Sequence, residues 1–260
     1  MTAFWLQQKS WQDVASYLQN DDRILVPVGS TEQHGVFAAL GTDTYVAIAL
    51  AEDASAGTGV AVCPPLWFGW SPHHMVNPGT LTIRAEVLIE FAFDMLASLA
   101  EHGFKNFVLV NGHRIVNISW MQIAAERAQR RLGVKVAIFD PAYMSKEIVG
   151  RLEFGPIGHA EDIEISHMLY RHPELVDLRH ATDNPRREKT LYHLDPHDPR
   201  DTLCYVPATR GDLAAVRQKT GDAIGGRPTR ASAEKGRIYH EHLVARLVQV
   251  LSQMHQTGDR

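Results

Sequence analysis

A glutamate, a histidine and an aspartate share one short stretch, GSTEQHGVFAALGTD, where Glu32, His34 and Asp43 are spaced E-x-H-x8-D. Carboxylates mixed with imidazoles suit Zn²⁺, Mn²⁺ or Fe²⁺ at a reactive site, whereas a structural zinc would favour cysteines. Two other segments offer the same donors. One is Asn111-Gly112-His113; the other is GHAEDIEIS, with His159, Glu161, Asp162 and Glu164. A set such as Glu32, His34, Asp43, His113 and Glu164 is enough for two divalent ions if one carboxylate bridges. Two ions about 3.5–4 Å apart can activate a water and polarise a carbonyl together. Histidine is also in surplus, with 14 in the chain against about five or six at ordinary usage.

Each segment has an ordinary reading as well. Glu32 can cap a turn, His34 can be a loop histidine, and a His after Asn-Gly is often a turn residue. Acidic residues at the start of a helix are favoured by the macrodipole alone. The case for chemistry is that several such segments coincide at predicted strand ends. Other histidines carry less. His240 and His242 are two apart on a helix, point to different faces and are expected at the surface. His193 and His197 are expected in solvated turns. His73 and His74 lie in the aromatic stretch LWFGWSPHHMVNPGT. There Trp67 and Trp70 can stack on a flat substrate and His74 can hydrogen-bond it, or the aromatics can pack the loop onto the core or an oligomer contact.

The elements that must position these residues follow from apolar spacing. Strands are predicted over 23–28, 60–63, 106–110 and 134–139, and helices over 9–20, 42–53, 84–102, 116–132, 160–170 and 231–254. Alternating strands and long helices predict an α/β fold with a parallel or mostly parallel sheet covered on both faces. Ligands in such folds bind outside the carboxyl ends of the strands. Glu32 and His34 follow one predicted strand, His113 follows another, and Asp43 starts a helix that can point back to the same edge. The stretch from about 183 to 228 is poor in apolar residues. It reads as an irregular excursion on a single domain spanning 1–260.

The 260 residues are 45% apolar and 22% charged, with a formal charge of −4. That balance gives no reason to expect nucleic acid or a membrane surface as partner. Cys63 and Cys204 read as reduced thiols. The N-terminus lacks the apolar core of a signal peptide, and no run is long enough to span a bilayer, which points to the cytoplasm.

Taken in order, PVGSTEQHG, Asp43, NPGT (Asn77–Thr80), NGH (Asn111–His113), GHAEDIEIS and ASAEKGR (Ala231–Arg237) resemble the creatininase family of metal-dependent amidohydrolases. The resemblance runs from Ile24 to Leu247. It implies a three-layer α/β/α sandwich, a dinuclear centre and a homo-oligomer, often a hexamer. It also implies that Glu32, His34, Asp43 and His113 are metal ligands with Asp43 as the bridge, and that His159 handles protons. Glu164 matches the Glu of the family's E-T-S motif. The chain departs from the family at two points. Where creatininase has a Glu two positions after the His, this chain has Ile115, so a second ion would need Glu164 or bind more weakly. Glu161 replaces a Gly, either as a further acid–base group, as a partner for a cationic substrate group, or as a surface change. Arg114 joins Trp67, Trp70 and His74 as a substrate-contact candidate.

The expected activity is hydrolysis of the C–N bond of a small cyclic amide (a lactam, cyclic urea or imide, but not creatinine). Hydroxide generated at the ions would attack the carbonyl, and His159 would deliver a proton to the leaving nitrogen. A formamide deformylase, a metal-dependent lyase or isomerase, and a non-catalytic binding protein on the same fold remain open alternatives at this point.

Overall fold

The computed structural model describes residues 2–185 and 208–256. His193, His197 and Cys204 lie outside the described residues. Five strands form one all-parallel sheet: β1 (Phe4–Trp5), β2 (Arg23–Val28), β3 (Ala61–Val62), β4 (Asn106–Asn111) and β5 (Lys135–Phe139), in the order β1-β3-β2-β4-β5. β2 and β4 have continuous apolar sequences because both faces of the sheet are covered. Leu25, Val108 and Val110 enter one core, while Ile24, Val26, Phe107 and Leu109 enter the other.

The chain leaves β2 for β3 on one side and then crosses back to β4 on the other. Right-handed crossovers therefore place the connecting helices on opposite faces. Helix α1 (Trp11–Tyr17) precedes β2, and the short α5 (Pro141–Met144) and α6 (Lys146–Val149) follow β5. α2 (Thr42–Thr58), α7 (Asp162–Arg171) and α9 (Ala233–Gln256) cover one face, packing Leu50, Ile163, Leu243 and Leu247 around the first core. α3 (Ala85–Glu101) and α4 (Ile118–Leu132) cover the other with Leu88, Leu96, Trp120 and Met121. The result is a three-layer α/β/α sandwich. β2 and β4 flank the point where strand order reverses, the usual binding crevice of such folds. Their last residues, Val28 and Asn111, are in register, so the loops beginning at Gly29 and Gly112 leave side by side.

The sequence reading differs from the structure in several places. β1 is a two-residue edge strand beside β3 that apolar spacing did not reveal. α2 continues to Thr58 and stops where Gly59 turns left-handed at φ 75°. The stretch read as irregular carries α8 (Arg210–Thr220), started by a capping box between Thr209 and Asp212. His240 is buried, not at the surface: its Nδ1 and Nε2 lie 2.8 Å from His167 Nε2 and Asp53 Oδ2. The two histidines do differ in setting, since His242 is only half-buried. No described helix is long and apolar enough to cross a membrane.

Candidate metal centre

Two glycines let the β2 and β4 loops close on the start of α2. A Cβ on Gly29 would come within 2.4 Å of Thr44 Cα, and one on Gly112 within 1.8 Å of the Asp43 carbonyl oxygen. Asp43, in the first turn of α2 where the helix dipole favours a carboxylate, is thus held between the two loops. Asn111 and Asp140 fix the second loop. Asp140 Oδ2 accepts from Asn111 Nδ2 and from the Ile115 amide, each at 2.8 Å. Ile115 adopts φ 67° there, and its side chain packs against the α2–α9 core.

The structure gathers Glu32, His34, Asp43, His113 and Glu164 into two buried triads that share Asp43. Glu32, Asp43 and His113 form one; His34, Asp43 and Glu164 form the other. Asp43 Oδ2 lies 3.1 Å from His113 Nδ1, and its Oδ1 lies 3.4 Å from His34 Nε2. Glu32 Oε2 is 3.4 Å from His113 Nε2, and Glu164 Oε2 is 3.4 Å from His34 Nε2. The two 3.4 Å separations that meet at His34 Nε2 match the edge of a tetrahedron, about 3.3–3.4 Å, around an ion with bonds of about 2.0–2.1 Å; His113 turns a different ring nitrogen to each of its two carboxylates.

Orphaned atoms support the same fit. Glu32 Oε1, His34 Nε2 and Asp43 Oδ2 are buried without a well-aligned hydrogen bond. His34 Nδ1 must donate to the Glu32 carbonyl oxygen 3.0 Å away. A neutral His34 therefore turns a lone pair from Nε2 toward two carboxylate oxygens, an arrangement that needs a cation between them. In the metal-free chain that cation is a proton. Burial works against the His113 imidazolium, yet Glu32 and Asp43 outweigh it and lift its pKa to about 9. Burial also opposes charge on His34, but Glu164 and Asp43 hold its pKa well above the ordinary value. Burial pushes Glu32 up to about 7 against the pull of His113. The donors are mixed carboxylate and imidazole, which fits Zn²⁺ or Mn²⁺.

His159 and His74 stand over this cluster, with ring centroids 3.9 Å apart. His159 Nε2 lies 2.5 Å from the Gln33 carbonyl oxygen and so carries the hydrogen; Nδ1 faces Glu32 Oε1 at 3.5 Å. Burial, then the charge of His34, pushes the His159 pKa down to about 3. It is therefore neutral at neutral pH in the metal-free chain. His74 Nε2 is 3.5 Å from Glu32 Oε1, and its Nδ1 accepts from Gln33 Nε2. The Gln33 amide also donates to the Ala223 carbonyl oxygen, at 3.0 Å. Gly225 pairs with His159 through two backbone hydrogen bonds.

Several expected roles change. Arg114 pairs through Nη2 with Glu161 Oε1 at 2.7 Å, while its Nη1 has no hydrogen-bond partner among the described residues. Glu161 is fully buried on that guanidinium and is neither a surface change nor open to a cationic substrate. Asp162 accepts from the Gly155 amide at 3.0 Å and holds its own loop. Trp67 lies edge-on to Tyr45 at 5.2 Å, and Trp70 packs toward the α3–α4 core. Both rings are engaged within the chain. Sequence reasoning missed Gln33, Asp140 and the Ala223–Gly225 strap. Asp140 had a usable signal, since it immediately follows a predicted strand. Ser71 was also missed: its Oγ is 2.7 Å from Ser30 Oγ and 3.4 Å from His113 Nε2.

The family model for creatininase, described as creatinine amidohydrolase, matches residues 7–251. The chain is 29% identical over 249 residues to the 3-dehydro-scyllo-inosose hydrolase of Thermotoga maritima, covering 91% of this chain and 78% of that protein. It is 27% identical over 234 residues to the creatinine amidohydrolase of Pseudomonas putida, covering 83% and 89% of the two. A solved mutant creatininase of Zn–Zn type superimposes with a TM-score of 0.78 at 25% identity, over 97% of this chain and 98% of that one.

Proposed function

The chain belongs to the creatininase family and is a metal-dependent amidohydrolase, and from this premise we propose that it binds two divalent ions and hydrolyses the ring C–N bond of a small cyclic amide other than creatinine. The observation that carries the reading is the pair of buried triads sharing Asp43. Glu32 and His113 would hold one ion, His34 and Glu164 the other, with one Asp43 oxygen for each. Ions in these positions would supply Lewis acidity, acidifying water toward neutral pH and polarising a carbonyl.

His159 supplies the proton transfer. Its Nε2 is tied to the Gln33 carbonyl oxygen, which leaves Nδ1 as the working atom. His159 first takes a proton at Nδ1 from the attacking water. It then returns that proton to the ring nitrogen, which leaves poorly unless protonated. His74 and Gln33 keep the imidazole in place, and the Ala223–Gly225 strap covers it.

A second reading has one specific support. The Thermotoga maritima relative is named for an inosose, a ring ketone with no C–N bond. The same residues could open such a ring, with His159 protonating carbon in place of nitrogen. The test is to reconstitute the chelated protein with zinc or manganese and screen lactams, cyclic ureas, imides, formamides and polyhydroxylated ring ketones in ¹⁸O-labelled water. One labelled oxygen in a ring-opened amine product supports the amide reading. Turnover of ring ketones alone overturns it in favour of the second. Turnover of none of these by a protein loaded with two ions overturns both.

A further inference from the structure

We propose that Arg114 and Glu161 are positioning residues: their buried ion pair holds Glu164 with one oxygen turned toward His34 and Asp43, and so completes the second ion position in a chain whose residue 115 is an isoleucine. This rests on the two-ion reading above.

The geometry is that of a three-group relay. Arg114 Nη2 lies 2.7 Å from Glu161 Oε1 and 2.9 Å from Glu161 Oε2, and 3.3 Å from Glu164 Oε1. The other Glu164 oxygen, Oε2, accepts from the Ala160 amide at 2.9 Å and faces His34 Nε2 at 3.4 Å. Each oxygen of Glu164 thus has a separate assignment, one to the guanidinium and one to the His34 side. Ala160 adopts φ 53°, an unusual conformation for a residue with a Cβ, and this conformation accompanies the amide contact. Ile115 cannot assist, because its side chain packs against the apolar core.

Glu161 is needed because arginine favours two-pronged pairing with a carboxylate. Without Glu161, Glu164 would be the carboxylate in reach. Pairing with both of its oxygens would withdraw the one that faces His34. Glu161 takes up Nη2 from the other side and balances the charge. The pair is also sealed: a Cβ on Gly226 would lie 2.1 Å from the Glu161 Cβ, so the backbone after α8 closes directly over it. A guanidinium held through Nη2 against a proposed ligand acts through that ligand. Partners of this kind alter metal affinity by about 10–100-fold when removed.

The test compares wild type, E161Q and R114M for ions per chain after dialysis and for ion affinity by titration calorimetry, with zinc and with manganese. The expected result is two tight ions in wild type. In both variants one ion stays at wild-type affinity and the second binds about 10–100-fold more weakly. Two ions at wild-type affinity in all three proteins overturn the proposal and leave the two-ion reading intact. Fewer than two ions in wild type overturns both. Loss of both ions from a folded E161Q chain also overturns it, because that reports general disruption. If R114M does not fold, E161Q decides alone, since glutamine keeps the shape of the side chain it replaces.

Discussion

Asp43→Asn is the sharpest perturbation of the shared carboxylate. Asparagine keeps the shape but replaces one oxygen by an amide nitrogen that cannot ligate. Of the two contacts Asp43 makes, Oδ2 to His113 and Oδ1 to His34, only one side can then keep a third donor. An ion at a concentration about 100 times its Kd stabilises the folded chain by about 2.7 kcal/mol. For a chain of this size, about 2–4 °C per kcal/mol makes that a rise of about 5–11 °C per ion, and twice as much for two. Thermal melts of wild type and variant, each measured against its own metal-free form, remove any loss from the imidazole contacts themselves. The variant should show no more than half the wild-type rise and bind at most one ion by elemental analysis. Two ions and an undiminished rise in Asp43→Asn would refute the bridge.

Other outcomes follow from the same geometry. His159→Ala should keep both ions, because both triads remain intact, and lower turnover by at least about 100-fold; unchanged turnover removes His159 from the proton path. Chelation should abolish activity and zinc or manganese should restore it, as followed by product formation after dialysis. The buried His167–His240 pair sets a pH dependence of stability. Burial holds both pKa values below the ordinary range, so the folded chain keeps these rings neutral while the unfolded chain protonates them below about pH 6.5. Stability should therefore fall as pH drops below about 6.5, by up to about 1.4 kcal/mol per pH unit for each ring. Urea midpoints of metal-free protein should fall less steeply in His240→Gln; an unchanged slope would remove the pair as the cause.

Much of the fold was legible because its strands are buried on both faces and its helices on one. Arg23–Val28 reads as a strand from six residues that sit between two cores, and Gly103 and Gly133, both with positive φ, mark the ends of α3 and α4. What failed was information that is not periodic. Two-residue β1 is a strand only because β3 lies beside it, and no local pattern encodes that partner. His240 reads as a polar residue on an amphipathic helix. It is buried because Asp53 on α2 and His167 on α7 meet it, residues 187 and 73 positions away.

The candidate site divides the same way. Strand ends are local signals, and the strand-end rule alone brings Glu32, His34 and His113 to one edge. Asp43 follows from the helix that must start there. The pairing of Arg114 with Glu161 was not legible because each was judged as a single charge near a site. A lone arginine beside a ligand histidine reads as a substrate anchor, and a lone glutamate reads as a base. Separated by 47 residues, they cancel each other in the interior. Only the loop geometry, with the Ile115 amide held on Asp140 and Gly226 pressed over Glu161, brings the two side chains together. The same geometry bears on the carboxylate missing at position 115. His34 Nε2 faces one carboxylate oxygen of Glu164 on α7, and the other oxygen meets Arg114 of the β4 loop. A second ion position can therefore persist without an acidic residue at 115, provided that what holds Glu164 persists with it.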